Sequence, residues 1–158
     1  MSTTNWMPRR WNVELSGCLW LPRLLDKGRH LLLSRRDGQD LMNGYLFGDF
    51  DYADRQLLKF LRTNDAHVLS LLSDVDDDEA VATALIRESG RSPEEIQAWG
   101  KRFRTVNAPF IHMWDADEGR RKPGIGTWLL DKFYNCLMMP PVYVGFRIAE
   151  RFRHRNCP

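Results

Sequence analysis

Leucines recur at helical spacing in LPRLLDKGRHLLL, residues 21–33. Leu21, Leu24, Leu25, Gly28, Leu31 and Leu32 fall on one face of a helix that begins near Pro22. Proline suits that first-turn position, because its missing N–H would be unsatisfied there anyway. Arg23, Asp26, Lys27 and His30 fall on the opposite face, and Arg29 lies to one side. Gly28, on the apolar face, permits close approach of a neighbouring element. Residues 1–19 read as an extended arm, with Pro8 and Gly17 as breakers. Downstream, Asn43-Gly44 between short apolar runs predicts a small β-hairpin over 39–47.

Further helices follow in quick succession. Asp51 is placed to cap a helix over 52–63, with Leu57, Leu58 and Leu61 turned inward. Asn64 and Asp65 interrupt it, and a short helix over 65–73 carries Val68, Leu69, Leu71 and Leu72. The run DVDDDEAVATALIRESG predicts a capped helix over about 77–88, stopped by Gly90. In RSPEEIQAWGKRFRTV, Ser92, Pro93 and Glu95 make a capping box, and Ile96, Trp99 and Phe103 line one side. Residues 107–126 hold two prolines and three glycines and show no sustained period, which predicts a long loop. Helices over 127–138 and 142–153 and a basic tail, 154–158, complete the chain. The pattern implies an all-α, or nearly all-α, single domain over 1–158.

Composition narrows the classes. The chain has 158 residues, 43% hydrophobic and 28% charged, enough for a full core and unlike a disordered segment. A net charge of +2 is too small to suggest nucleic-acid binding. No apolar run is long enough to span a bilayer, and the first twenty residues lack the apolar core of a signal peptide. Cys18, Cys136 and Cys157 form no CxxC pair, so neither a disulfide framework nor a zinc ribbon is indicated, and a reducing cytoplasm is the expected home.

The segment LPRLLDKGR, with an arm before it and helices after it, resembles an uncharacterised family of small bacterial proteins that carry an LPRxxDKxR-like segment near the N-terminus. EEIQAW is also similar to that family. The resemblance implies a mainly helical cytoplasmic protein. It supplies no activity, and it nominates Arg23, Asp26, Lys27 and Arg29 as positions to test.

Candidate chemistry gathers in three places. On the first helix, Asp26 and His30 are four residues apart, and a carboxylate beside an imidazole suits acid–base work, with Lys27 adjoining. Arg23 and Arg29, with Lys27, could hold a carboxylate or phosphate. The alternative is a solvated helix face with routine side-chain pairs. LLDK at 24–27 recurs at 129–132, and Asp131 and Asn135 on the later helix could face the first across a cleft. Trp114, in the predicted loop, could close over an apolar substrate as part of a lid. His112, Asp115 and Asp117, with Glu118, offer a weaker metal site, since their spacing matches neither a zincin helix nor a calcium loop. DVDDDE fails as an EF-hand, because Glu79 stands where the turn needs glycine and Leu85 where a bidentate glutamate belongs. No phosphate loop, dinucleotide fingerprint or nucleophile elbow is present, so no cofactor is expected.

The leading expectation is a small-molecule-binding protein acting as a cofactor-independent isomerase, cyclase or lyase by proton transfer. The rivals are a non-catalytic protein-interaction module and a metal-dependent enzyme using His112. The expected partner is a small-molecule ligand, with a homo-oligomer left open and nucleic acid and membrane not expected.

Overall fold

A computed structural model describes residues 6–120. The chain divides into two compact units, 1–105 and 106–158. The first holds a two-stranded antiparallel sheet, β1 (Glu14–Leu15) and β2 (Cys18–Leu19), then α1 (Leu21–Asp37), α2 (Tyr52–Phe60), α3 (Asp65–Asp74) and α4 (Asp78–Ser89). The last described helix, α5 (Pro93–Asp117), begins in the first unit and runs into the second. The mainly α expectation is met. Among the described residues no helix is long and apolar enough to cross a membrane.

Local signals set most helix ends. Asp51 caps α2 by accepting from the N–H groups of Ala53 and Asp54, and Asn64 caps α3 by accepting from that of His67. Asp77 caps α4, and Gly90 ends it in the left-handed region. At α5 the capping box closes in both directions. The Ser92 N–H donates to Glu95 at 2.9 Å and the Glu95 N–H to the Ser92 hydroxyl at 3.3 Å.

Two expectations need correction. The hairpin lies at 14–19, not 39–47. Its register pairs Glu14 with Leu19 and Leu15 with Cys18. The Ser16-Gly17 turn has both φ angles positive, the geometry that matches the twist of paired strands. Asn43-Gly44 does make a tight turn, with Tyr45 N–H donating to the Met42 carbonyl, but its flanks have other partners. The Leu41 N–H donates to the Ser34 hydroxyl, the Met42 N–H to Asp40 and the Gly48 N–H to Asp54, so no ladder forms.

The second correction concerns the predicted loop at 107–126. Residues 107–117 are helical and belong to α5, which continues across Pro109. Within the second unit Asn107, Ile111 and Asp115 are buried at intervals of four. That is a helical stripe, and two of its three members are polar, so it does not read as one in sequence. Phe110 stacks on Trp114, with ring centroids 6.5 Å apart. The helices predicted over 127–138 and 142–153, the second LLDK and the basic tail lie outside the described residues.

The core of the first unit lies around α1, which packs on α3 and α4. Leu21, Leu24 and Leu25 are buried, along with Leu57 and Leu61, Val68 and Leu72 of α3, and Val81 and Leu85 of α4. Gly28 serves as expected: a Cβ there would lie 2.5 Å from Leu72 Cδ1 and 3.2 Å from the Phe47 ring. Trp20, Phe103, Trp99 and Phe60 form a run of ring contacts, each with centroids 5.0–5.3 Å apart.

Between the Asn43-Gly44 turn and α2 the chain makes one 3-10 turn over Gly48–Phe50. Gly48 has φ +68, and a Cβ there would lie 2.7 Å from Asp65 Cβ. Both the dihedral and the contact oppose a side chain. Gly48→Ala is expected to lower unfolding free energy by about 1–3 kcal/mol, read as a lower urea midpoint at unchanged slope. An unchanged midpoint would show that this segment is not held as described.

Candidate functional site

The five ionisable side chains in the first half of α1, Arg23, Asp26, Lys27, Arg29 and His30, do not form a solvated face. Lys27 has no exposed surface, and Arg23 is buried as well. Their partners lie on the arm, on α2 and at the α3–α4 connection, so the first half of α1 is covered on its polar side as well as its apolar one.

Lys27 points toward the start of α2. Its Nζ donates to Asp54 Oδ1 at 2.7 Å and to Asp51 Oδ2 at 2.9 Å, and lies 5.6 Å from the centre of the Trp20 ring. Asp54 is fully buried. Its Oδ1 also accepts from Trp20 Nε1 at 2.8 Å, and its Oδ2 accepts from the Gly48 N–H at 3.0 Å. Asp51 divides its oxygens: Oδ2 takes Lys27, and Oδ1 takes the two N–H groups of the α2 cap. One ammonium and two carboxylates thus fasten α1, α2 and the 3-10 turn together. Burial pushes the Asp54 carboxyl up to about 6, with the Lys27 charge pulling against it and that of Asp51 adding to it.

The other four work on the arm and on the α3–α4 connection. Asp26 receives the Arg9 N–H at 2.6 Å and the Arg9 guanidinium at both oxygens. Arg9 also pairs with Asp78 at the start of α4. Arg29 donates to Asp78 at 2.8 Å and to the carbonyls of Val75 and Asp76 at 3.1 and 2.6 Å. Arg23 donates to the Arg9 carbonyl at 3.0 Å, its guanidinium 5.1 Å from the Trp20 ring centre and 5.4 Å from that of Tyr45. His30 stacks on Trp6 with ring centroids 3.6 Å apart. Burial lowers the His30 pKa, opposed by the charge of Asp26.

Asp26 and His30 are therefore neighbours on one helix, as read from the spacing, but the carboxylate is directed at Arg9. Lys27 is brought to Asp51 and Asp54 rather than to Arg23. Trp114 and Asp115 lie on α5 in the second unit, as do the backbones of His112 and Asp117. Asp131 and Asn135 lie outside the described residues. Among the described residues no group of three or more histidine, cysteine or acidic side chains is placed to hold a metal. Arg9, Trp20, Asp54 and Asp78 were missed by sequence reasoning. Asp51 was seen only as a cap, although an aspartate at 54, on the inward side of α2, was a signal that this face meets a cation.

Burial also acts on Cys18, whose thiol is pushed up to about 12, with Glu14 adding to the effect. It packs as a small apolar group. Compared with protein-family models, curated proteins and solved structures, the chain matches none.

Removing one partner of a buried charge pair leaves the other uncompensated. Lys27→Ala is expected to lower unfolding free energy by about 3–5 kcal/mol, measured by urea denaturation. The pH dependence has a definite sign. Asp54 binds its proton more tightly folded, at about 6, than at its ordinary 3.8. Its contribution to stability therefore falls as pH rises through that window and is level above it. Wild type compared with Asp54→Asn at a series of pH values should lose stability between about pH 4 and 6. A difference that grew with pH over that window would reverse the assignment.

Proposed function

We propose that this chain is a non-catalytic protein-interaction module. The observation that carries this reading is the segment 46–52. Within seven residues it presents Leu46, Phe50 and Tyr52 at 46%, 51% and 57% exposure. Isolated exposed apolar residues are ordinary, whereas several large ones on one short segment mark a contact surface. The segment is also held firmly. Gly48 is tied to Asp54, Asp51 to Lys27 and to the α2 cap, and Phe47 is buried against Gly28. A surface fixed before its partner arrives loses less conformational entropy on binding, which favours affinity.

The use made of the α1 side chains supports the same reading over proton transfer. A general base needs a lone pair that a substrate can reach. Both Asp26 oxygens accept from Arg9, and Lys27 has no exposed surface.

Photocrosslinking tests the proposal. With a photoreactive phenylalanine analogue at position 52, a discrete crosslinked partner is expected in cells, and the same analogue at exposed Asp74 should give none. Leu46→Asp should weaken that crosslink at least about tenfold, as loss of an anchoring contact does. The melting temperature should change little, because the side chain is half exposed. Equal crosslinking at 52 and 74, or persistence in Leu46→Asp, would overturn the reading.

A further inference from the structure

A cleft of 280 Å³ lies away from both the α1 charges and the 46–52 segment, between the Ser16-Gly17 turn, the C-terminal half of α4 and the first turn of α5. Ligand pockets begin at about 300 Å³, so this volume suits a molecule of amino-acid or short-chain-acid size. Its apolar lining comes from Ile86, Pro93 and Ile96.

The charged members of the lining, Arg87 and Arg91, are both cations. Arg91 is locked in place: Nε donates to the Phe60 carbonyl at 3.0 Å, Nη1 to Glu95 at 2.8 Å, and the guanidinium sits 4.9 Å from the Phe60 ring centre. Glu95 neutralises it. Arg87, one turn earlier, lines the same cleft and makes no side-chain hydrogen bond or ion pair among the described residues. Among the lining residues, Arg87 is thus the one charged group without an ion-pair partner among the described residues; the Ser16 hydroxyl at the rim is turned to Glu79, and Thr83 and Gln97 add neutral polar groups. A single carboxylate matches that charge, and a guanidinium offers it two parallel N–H donors. A phosphate dianion would leave one charge unmet.

We propose that this cleft binds a small free monocarboxylic acid with a compact aliphatic or aromatic body, the carboxylate on Arg87 and the body against Ile86 and Ile96. The site is independent of the surface at 46–52, so binding needs no protein partner. Ile86 and Ile96 supply methyl reporters inside the cleft, and Arg87 is exposed enough to be replaced without disturbing the core.

The test is a methyl-NMR titration of the full chain with hexanoate and with phenylacetate, using hexanol and hexylamine as controls. Saturable shifts at the Ile86 and Ile96 methyls are expected with one or both acids, at a dissociation constant of about 1 mM or below. Arg87→Gln should weaken them at least about tenfold, with the rest of the spectrum unchanged. Tyr52→Ala should leave them as they are. Equal binding of hexanol, or an Arg87→Gln variant that binds as well as wild type, would reduce the site to an apolar dimple and overturn the proposal. Absence of saturable shifts with both acids would do the same.

Discussion

Lys27 is the constraint on which the first unit depends. An ammonium taken wholly out of water is costly unless its hydrogens are met and its charge is balanced. Here Asp54 and Asp51 do both, at 2.7 and 2.9 Å, and the Trp20 ring lies beside it. Apolar packing could hold α1 against α2 with equal strength, but it would tolerate small slips. A buried charge tolerates few, since a shift that breaks one bond leaves an ion unpaired in a medium of low dielectric. The pair therefore acts as a register pin, setting where α2 begins relative to α1.

That pin accounts for a second feature, the shape of the segment before α2. Asp54 takes the Gly48 N–H on one oxygen and Lys27 on the other, so the chain between must turn tightly. It does so with Gly48 at positive φ and one 3-10 turn. Phe47 goes inward beside Gly28, and Leu46, Phe50 and Tyr52 are left facing out. Their exposure is thus a consequence of internal geometry rather than of looseness. A rigid segment with an outward apolar surface and a polar anchor beneath is what links the core of this unit to the interaction role proposed for it.

How much of this could be read in advance follows from distance along the chain. The caps at Asp51 and Ser92 were legible because each joins residues two or three apart. The close approach at Gly28 was legible from its place on the apolar face. The fate of the charges was not. Arg23, Asp26, Lys27 and His30 show the spacing of a solvated face, and nothing local to α1 distinguishes a wet lysine from a buried one. Its partners lie 24 and 27 residues away, and those of Arg29 and Asp26 lie on α4 and the arm. Periodicity reports which face differs from the other, and only tertiary partners decide whether the polar face meets water.

The same reasoning explains the two turns. Ser16-Gly17 and Asn43-Gly44 both adopt positive φ at both positions, yet only the first joins paired strands. The stronger dipeptide lost its ladder because its flanking N–H groups were already engaged by Ser34, Asp40 and Asp54. A turn dipeptide specifies a change of direction, and pairing then depends on whether the flanks have better offers. At α5 the competition ran the other way. Pro109 lacks the N–H that an interior helical residue donates, which argues for a break. The helix nonetheless runs through to Asp117, with Asn107, Ile111 and Asp115 buried along one stripe. In the first case side-chain acceptors overrode the local preference, and in the second the helix runs on along a buried stripe; both depend on packing and partners that a linear reading of the chain does not contain.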